Sequence, residues 1–148
     1  MEIKELGHVV LNVRDLGTSV HFYRDVLGFR EVARMGERGV MFSSGRTHHE
    51  LLLLQAGPDA AVQPAGRALG LSHFAFKIGT TDAELDAARA ELEAHDVPAD
   101  HVTDHGFTHS VYLSDPDGNH VEIYIDGQPE LWHEDPTLGF GAPQALAV

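Results

Sequence analysis

Three side chains of types that bind divalent metals occupy comparable places in the sequence. His8 and His73 each lie near the start of an apolar run, and Glu122 lies among apolar residues between Val121 and Ile123. Two imidazoles and one carboxylate leave open positions on a metal, and this ligand set is typical of Fe(II) enzymes that bind substrate and dioxygen side by side. We therefore predict that His8, His73 and Glu122 bind one divalent metal, Fe(II) in the first place and Mn(II) as the alternative.

Each of these residues also has an ordinary structural explanation. A histidine on a strand is more often satisfied by a backbone partner than by a metal, and a buried glutamate can pair with an arginine. An unpaired buried carboxylate is costly, so Glu122 needs either a metal or such a cation. Five other histidines are expected to be surface or turn residues: His48, His101, His109, His120 and His133.

The elements that must position these residues follow the order βαβββ twice. In the first half, apolar runs predict strands near residues 6–13, 29–34, 40–43 and 49–54, and a helix over 16–27 that Asp15 caps and Gly28 ends. In the second half, strands are predicted over 71–78, 97–102, 108–113 and 120–125, with a helix from Thr81 or Asp82 to about His95.

The two halves also repeat residue by residue, since 6–11 aligns with 71–76 and 40–43 with 111–114. Each half opens with a histidine, and Glu50 and Glu122 fall on the last strand of each half. The sequence therefore predicts an α+β fold in which two βαβββ repeats form a cupped mixed sheet. We expect a single domain over residues 1–148, with modules at about 5–55 and 70–126 and a C-terminal tail at 127–148.

Composition excludes several classes of function. The chain has no cysteine, which rules out disulfides, thiolate nucleophiles and iron–sulfur sites. Its formal net charge of -13 comes with no Lys/Arg cluster, which argues against a nucleic-acid partner. The first residues show neither a basic segment nor a long apolar stretch, so we expect a cytoplasmic protein without a membrane span.

Three segments carry a resemblance to a known superfamily: residues 7–16 (GHVVLNVRDL), 22–29 (FYRDVLGF) and 114–124 (SDPDGNHVEIY). Over residues 5–126 the chain resembles the vicinal oxygen chelate superfamily of glyoxalase, bleomycin-resistance and extradiol dioxygenase proteins. Within that superfamily, His49 after His48, the run from Asp104 to Thr108, and Tyr112 resemble the type I extradiol dioxygenases. That resemblance implies an acid–base role for His49 and substrate-orienting roles for His105 and Tyr112.

The resemblance implies an Fe(II)-dependent extradiol dioxygenase that cleaves a catechol-type aromatic diol with dioxygen. A glyoxalase-like lyase or isomerase is the alternative, with Glu50 as a fourth metal ligand. Neighbouring residues on a strand face opposite ways, so only one of His49 and Glu50 is expected to face the metal. His49 facing the metal indicates the dioxygenase, and Glu50 facing it indicates the lyase or isomerase. A metal-free drug-binding resistance protein is a third reading. The family further implies a homodimer or higher homo-oligomer, and Trp132 in the tail is expected to cover apolar surface or a dimer contact.

Overall fold

The structure, a computed structural model, describes residues 1–62, 69–135, 137 and 144–145. The chain divides into two compact units, Met1–Gly66 and Arg67–Val148. The first unit contains β1 (Val9–Val13), α1 (Leu16–Val20), a π-helix (His21–Val26), β2 (Arg30–Arg34), β3 (Gly39–Ser43) and β4 (Leu51–Gln55). The second contains β5 (Phe74–Gly79), α2 (Asp82–Ala94), β6 (His101–Asp104), β7 (Thr108–Ser114), β8 (His120–Asp126), α3 (Pro129–Glu134) and β9 (Gln144–Ala145).

Each unit builds one mixed sheet, and the four strands of each repeat follow the same order, to which the second sheet adds β9. The first sheet runs β1-β4-β3-β2 and the second runs β5-β8-β7-β6-β9. In both, the first and last strands of the repeat are parallel (β1 with β4, β5 with β8) and the other pairs are antiparallel. The predicted α+β fold with two βαβββ repeats is therefore confirmed. That the modules form one domain stays a prediction.

In the first unit, the core lies between the sheet and the helix that follows β1. Phe42 of β3 and Leu53 of β4 are fully buried, and α1 packs on these two strands. The Asp15 carboxylate accepts a hydrogen bond from the Thr18 amide at 2.7 Å, which is the predicted N-cap. Apolar burial from both sides thus holds the helix across the two central strands.

The predicted helix over residues 16–27 begins and ends as expected, but only its first part is α-helical. From His21 onward the hydrogen bonds span five residues, as the Leu27 amide shows by donating to the Phe22 carbonyl at 3.0 Å. The wider turn lets the adjacent side chains of Phe22 and Tyr23 both be buried. Gly28 then ends the helix with φ at 76°.

In the second unit, α2 begins where predicted. The Glu84 carboxylate accepts hydrogen bonds from the Thr81 amide and hydroxyl at 3.0 and 2.8 Å, which forms a capping box. The strand predicted over 97–102 was wrong in its first half. Asp96 takes a left-handed conformation (φ 56°) and the Val97 amide returns to the Leu92 carbonyl at 2.9 Å, so the helix end uses these residues and β6 starts at His101.

Three predicted strands start later in the structure, and this moves several chemically important residues into loops. His8 lies directly before β1 and His73 directly before β5, while His49 and Glu50 precede β4. At the C-terminus, β9 pairs with β6, while the side chain of Trp132 lies outside the described residues. In the described part of the chain, no helix is long and apolar enough to cross a bilayer.

The turn between β7 and β8 is organised by one buried carboxylate. Asp115 accepts hydrogen bonds from the Asp117 amide at 2.9 Å, the Asn119 amide at 2.8 Å and the Asn119 side-chain amide at 2.8 Å. Gly118 completes the turn with φ at 83°, a conformation that side chains rarely adopt. The turn fixes the register of the following strand, because Ser114 pairs with His120 and Tyr112 with Glu122.

We expect Asp115→Ala to lower the free energy of unfolding by about 2 kcal/mol, because three N–H donors of the turn lose a charged acceptor. Chemical denaturation followed by circular dichroism measures the change. Asp86→Ala is the matched control, since Asp86 is an exposed carboxylate on α2 and its loss should cost no more than about 0.5 kcal/mol. Equal losses in the two variants would contradict this account of the turn.

Candidate metal and substrate site

In the second unit, the predicted ligand Glu122 is buried beside the predicted ligand His73. Glu122 lies on β8 with 9% of its surface exposed, and its Oε2 is 3.1 Å from His73 Nε2. Its other oxygen accepts a hydrogen bond from the fully buried Ser110 hydroxyl at 2.6 Å. In the described part of the chain its partners are Ser110, Tyr112 and His73, and no arginine is among them. The carboxylate is therefore held by neutral donors and one imidazole.

Tyr112 lies next to this pair and connects it to His105. Burial first, and then the charge of Glu122 and its hydrogen bond from the phenol, raise the pKa of Tyr112 to about 12. The phenol is therefore protonated at neutral pH and donates to the carboxylate. His105 Nε2 is 3.1 Å from the same hydroxyl oxygen. Since the phenol proton is directed to Glu122, His105 supplies the N–H of its contact with Tyr112.

A tight turn between β6 and β7 positions His105. The Gly106 amide donates to the Asp104 carboxylate at 2.6 Å, and the His105 amide donates to the Thr108 carbonyl at 2.9 Å. Gly106 has φ at 92°, so a residue with a side chain would be strained in this turn. The local sequence from Asp104 to Thr108 thus presents the imidazole toward β7.

The second unit therefore brings together four of the residues predicted from sequence: His73, His105, Tyr112 and Glu122. It also adds two that sequence reasoning missed. His101, expected to be only a surface residue, stacks on the Tyr112 ring with centroids 4.3 Å apart and planes 8° apart. Ser110 lies two residues before Tyr112 and so shares its strand face, and this period-2 spacing is the sequence signal for its contact with Glu122.

In the first unit, three histidines that precede β1 or β4 lie together. The His8 and His49 ring centroids are 4.5 Å apart, and the His48 and His49 centroids are 4.4 Å apart. Nδ1 of His48 and Nδ1 of His49 face each other at 2.5 Å, so one ring donates and the other accepts. His48 was expected to be a surface residue; its ring is exposed but contacts a predicted catalytic residue. Partial burial, and then the neighbouring imidazoles, lower the pKa of His49.

Glu50 takes a different direction from His49. Its carboxylate accepts hydrogen bonds from the Ser44 amide and hydroxyl, both at 2.7 Å, and lies 3.3 Å from Arg46 Nε. Burial alone would raise the pKa of Glu50, but the hydrogen bonds from Ser44 and the charge of Arg46 outweigh burial and lower the pKa. The first unit thus places His49 against His8 and engages Glu50 with the loop before β4.

The predicted ligand set takes His8 from the first unit and His73 and Glu122 from the second. Within either unit, the described residues contain no group of three or more histidine, aspartate or glutamate side chains arranged to hold a metal ion. The assignment of the three residues to one metal stays a prediction, as do the roles of His49, His105 and Tyr112.

The chain combines two βαβββ modules, each with a histidine directly before its first strand, and a glutamate on the last strand of the second module. A family model described as the Glyoxalase/Bleomycin resistance protein/Dioxygenase superfamily matches residues 5–123, and the chain belongs to this superfamily. The superfamily includes metal-dependent enzymes, and its members bind divalent metal ions. The resemblance recognised in the sequence is confirmed.

Three known proteins show the range of the superfamily around this chain. A catechol-2,3-dioxygenase of Bacillus subtilis (strain 168) is 34% identical over 90% of this chain but only 46% of its own length. Biphenyl-2,3-diol 1,2-dioxygenase 3 of Rhodococcus globerulus is 30% identical over 82% of this chain and 63% of its own length. The crystal structure of a lactoylglutathione lyase from Agrobacterium tumefaciens is 32% identical, with a TM-score of 0.66, over 89% of this chain and 98% of the lyase. The chain spans about half the length of the first of these relatives.

We expect Ser110→Ala to lower the free energy of unfolding by about 1–2 kcal/mol, because it leaves one oxygen of the buried Glu122 carboxylate without its donor. Thermal or urea unfolding of the protein without added metal provides the measurement. Ser114→Ala is the control on the same strand and the same face, since its hydroxyl is exposed and donates to Asp100 at 3.1 Å. A Ser110→Ala protein as stable as Ser114→Ala would show that Ser110 does not support the carboxylate.

Proposed function

We propose that this protein is an Fe(II)-dependent extradiol dioxygenase that cleaves the ring of a catechol-type aromatic diol with dioxygen. The observation that carries the proposal is the connected set of His105, Tyr112 and Glu122 beside His73 in the second unit. His105 and Tyr112 bear protons, and His73 and Glu122 are candidate metal ligands beside them, so the two oxygens of a diol could chelate a metal here and meet hydrogen-bond donors at once. The similarity to two dioxygenases supports the same reading.

In this proposal His8, His73 and Glu122 hold the iron. The donor set fits, because imidazole nitrogen and carboxylate oxygen suit Fe(II) and leave positions for other ligands. His73 Nε2 and Glu122 Oε2 are 3.1 Å apart. These two atoms are close enough together that both would hold one ion. When bound, the metal supplies Lewis acidity that lowers the pKa of a substrate hydroxyl.

The protein's own residues orient the diol and move its protons. Tyr112, whose pKa is raised to about 12, stays protonated near neutral pH. Its phenol proton faces Glu122 and the His105 N–H faces the phenol oxygen, and in this proposal the two groups exchange these contacts for the diol oxygens when the diol binds. His49 has a lowered pKa and is therefore neutral near pH 7. Its Nδ1 is engaged with His48, and in the tautomer in which Nδ1 donates to His48, Nε2 accepts a proton from the diol and returns it later.

A second candidate is a glyoxalase-like lyase or isomerase, and the similarity to a lactoylglutathione lyase over nearly its full length favours it. In that reading Glu50 is a fourth metal ligand. Its two carboxylate oxygens are already occupied by Ser44 and Arg46, whereas the His49 ring lies against His8. That arrangement supports the dioxygenase over the lyase.

The metal assignment predicts that His8→Ala, His73→Ala and Glu122→Ala each lose stoichiometric metal while the protein still folds, because three protein ligands are needed to hold the ion against water. Elemental analysis of protein loaded anaerobically with Fe(II) measures the metal content. His120→Ala is the control, as His120 is exposed at the start of β8 and is expected to be a surface residue. A His73→Ala protein with full metal occupancy would remove His73 from the ligand set.

The dioxygenase assignment predicts that His49→Gln keeps iron but loses turnover by at least about 100-fold, because no group of suitable pKa remains to move the proton. Oxygen uptake on a panel of catechols, with one O₂ consumed per ring-opened semialdehyde formed, provides the measurement. His21→Gln, an exposed histidine paired with Asp25, should keep wild-type uptake. Wild-type protein loaded with Fe(II) that consumes no oxygen with any catechol, yet converts a hemithioacetal, would favour the lyase.

A further inference from the structure

The segment that carries His8 is bound on both sides by residues of the loop before β4. On its N-terminal side, Arg46 Nη2 donates to the carbonyls of Leu6 and Gly7 at 3.2 and 3.1 Å. On its C-terminal side, the Val9 amide donates to the Glu50 carbonyl at 2.9 Å. The backbone on either side of His8 thus makes three hydrogen bonds, two of them with the Arg46 side chain, although His8 itself is exposed and precedes β1.

Arg46 is itself held in place by two carboxylates. Its Nη1 donates to Glu5 at 3.0 Å, and its Nε lies 3.3 Å from Glu50 Oε1. The side chain of Glu50 is only 12% exposed and also accepts the two hydrogen bonds from Ser44. Because a guanidinium is planar and has five N–H donors, it can bind two backbone carbonyls and two carboxylates at once, which a lysine cannot do.

The loop that supplies Arg46 is itself closed by hydrogen bonds. The Ser43 hydroxyl donates to the Thr47 carbonyl at 2.7 Å and accepts from the Gly45 amide at 2.9 Å. Gly45 has φ at 108°, which favours glycine at this position. These internal hydrogen bonds restrict the movement of the loop. The loop can therefore hold the neighbouring segment, residues 6–9, in place.

We propose that Arg46, held by Glu50, is a positioning residue that fixes the backbone of residues 6–9 so that His8 is oriented for metal binding. This inference rests on the proposed function, since it takes His8 to be a ligand. It gives Glu50 the role of an anchor for Arg46 in place of a metal ligand. Groups that orient the ligands of a metal typically contribute 10–100-fold to its affinity.

The first experiment measures Mn(II) affinity by calorimetric titration of the metal-free full chain. Arg46→Met should weaken Mn(II) binding by about tenfold, and Arg46→Lys should weaken it by at least about threefold, because an ammonium keeps the charge but cannot bind both carbonyls and both carboxylates at once. Arg34→Met is the matched control: Arg34 is as exposed as Arg46 and pairs with Glu31, but it lies on β2. It should stay within about twofold of wild type. Wild-type affinity in a folded Arg46→Met protein would overturn the proposal; should that variant not fold, wild-type affinity in Arg46→Lys would do so.

The second measurement needs no metal. Amide hydrogen exchange at Val9, whose N–H is bonded to Glu50, should become about tenfold faster in Arg46→Met and stay unchanged in Arg34→Met. A role confined to overall stability would instead raise exchange throughout the sheet, at Leu53 as much as at Val9. Uniform acceleration, or none at Val9, would contradict the positioning role.

A double-mutant comparison separates an anchor from a ligand. If Glu50 acts through Arg46, Glu50→Gln should weaken Mn(II) binding about as much as Arg46→Met, and the double variant should lose little more. If Glu50 binds the metal, Glu50→Gln should lose far more than Arg46→Met and the two losses should add, which would overturn the proposal. His8→Ala tests the underlying function: if it binds Mn(II) like wild type, or if wild type binds none, both proposals fail. If His8→Ala loses binding while Arg46→Met keeps it, only the positioning role fails.

Discussion

The burial of one carboxylate organises the second unit. A charged Glu122 inside a sheet is tolerable only when its oxygens have partners, and β7 and the residue before β5 deliver them as Ser110, Tyr112 and His73. A shift of one residue between β7 and β8 would turn Ser110 and Tyr112 to the opposite face and leave the charge without its donors. The candidate site therefore depends on the register of β7 and β8, and that register depends on the turn that Asp115 organises.

The two modules repeat in sequence, but their two corresponding glutamates make different contacts. Glu50 and Glu122 occupy equivalent positions near the last strand of each module, yet Glu122 is surrounded by groups able to share a metal or a substrate. Glu50 instead faces a serine and an arginine of its own loop. One module thus uses its acid within the candidate site, and the other uses it to brace a loop. In the first module, the neighbouring histidines His8, His48 and His49 are therefore the candidate residues for the proposed chemistry.

How far the sequence predicted this arrangement depended on which rules applied locally. The βαβββ order and the nearness of Tyr112 to Glu122 were predictable, because strand alternation and the Asp-Pro-Asp-Gly turn are short-range patterns. The directions of His49 and Glu50 were not, since both precede β4 and their orientation depends on Ser44 and Arg46 rather than on strand alternation. The start of β6 was predicted too early for a similar reason. Valine is common in strands, but the Val97 amide donates to the Leu92 carbonyl at the end of α2.

The π-helix at His21–Val26 makes the length of this helix, as well as its composition, matter to the fold. In a π-helix each amide bonds to the carbonyl five residues earlier, so a turn holds about one residue more than a turn of α-helix. Within this wider turn, Phe22 and Tyr23 are both buried. Deleting one residue here would remove the wider turn and let the stretch return to α-helical hydrogen bonds, with Gly28 and β2 leaving in nearly the same direction. Phe22 and Tyr23 would then lie about 100° apart around the helix axis, so burial of both depends on the residue count of this stretch as well as on its composition.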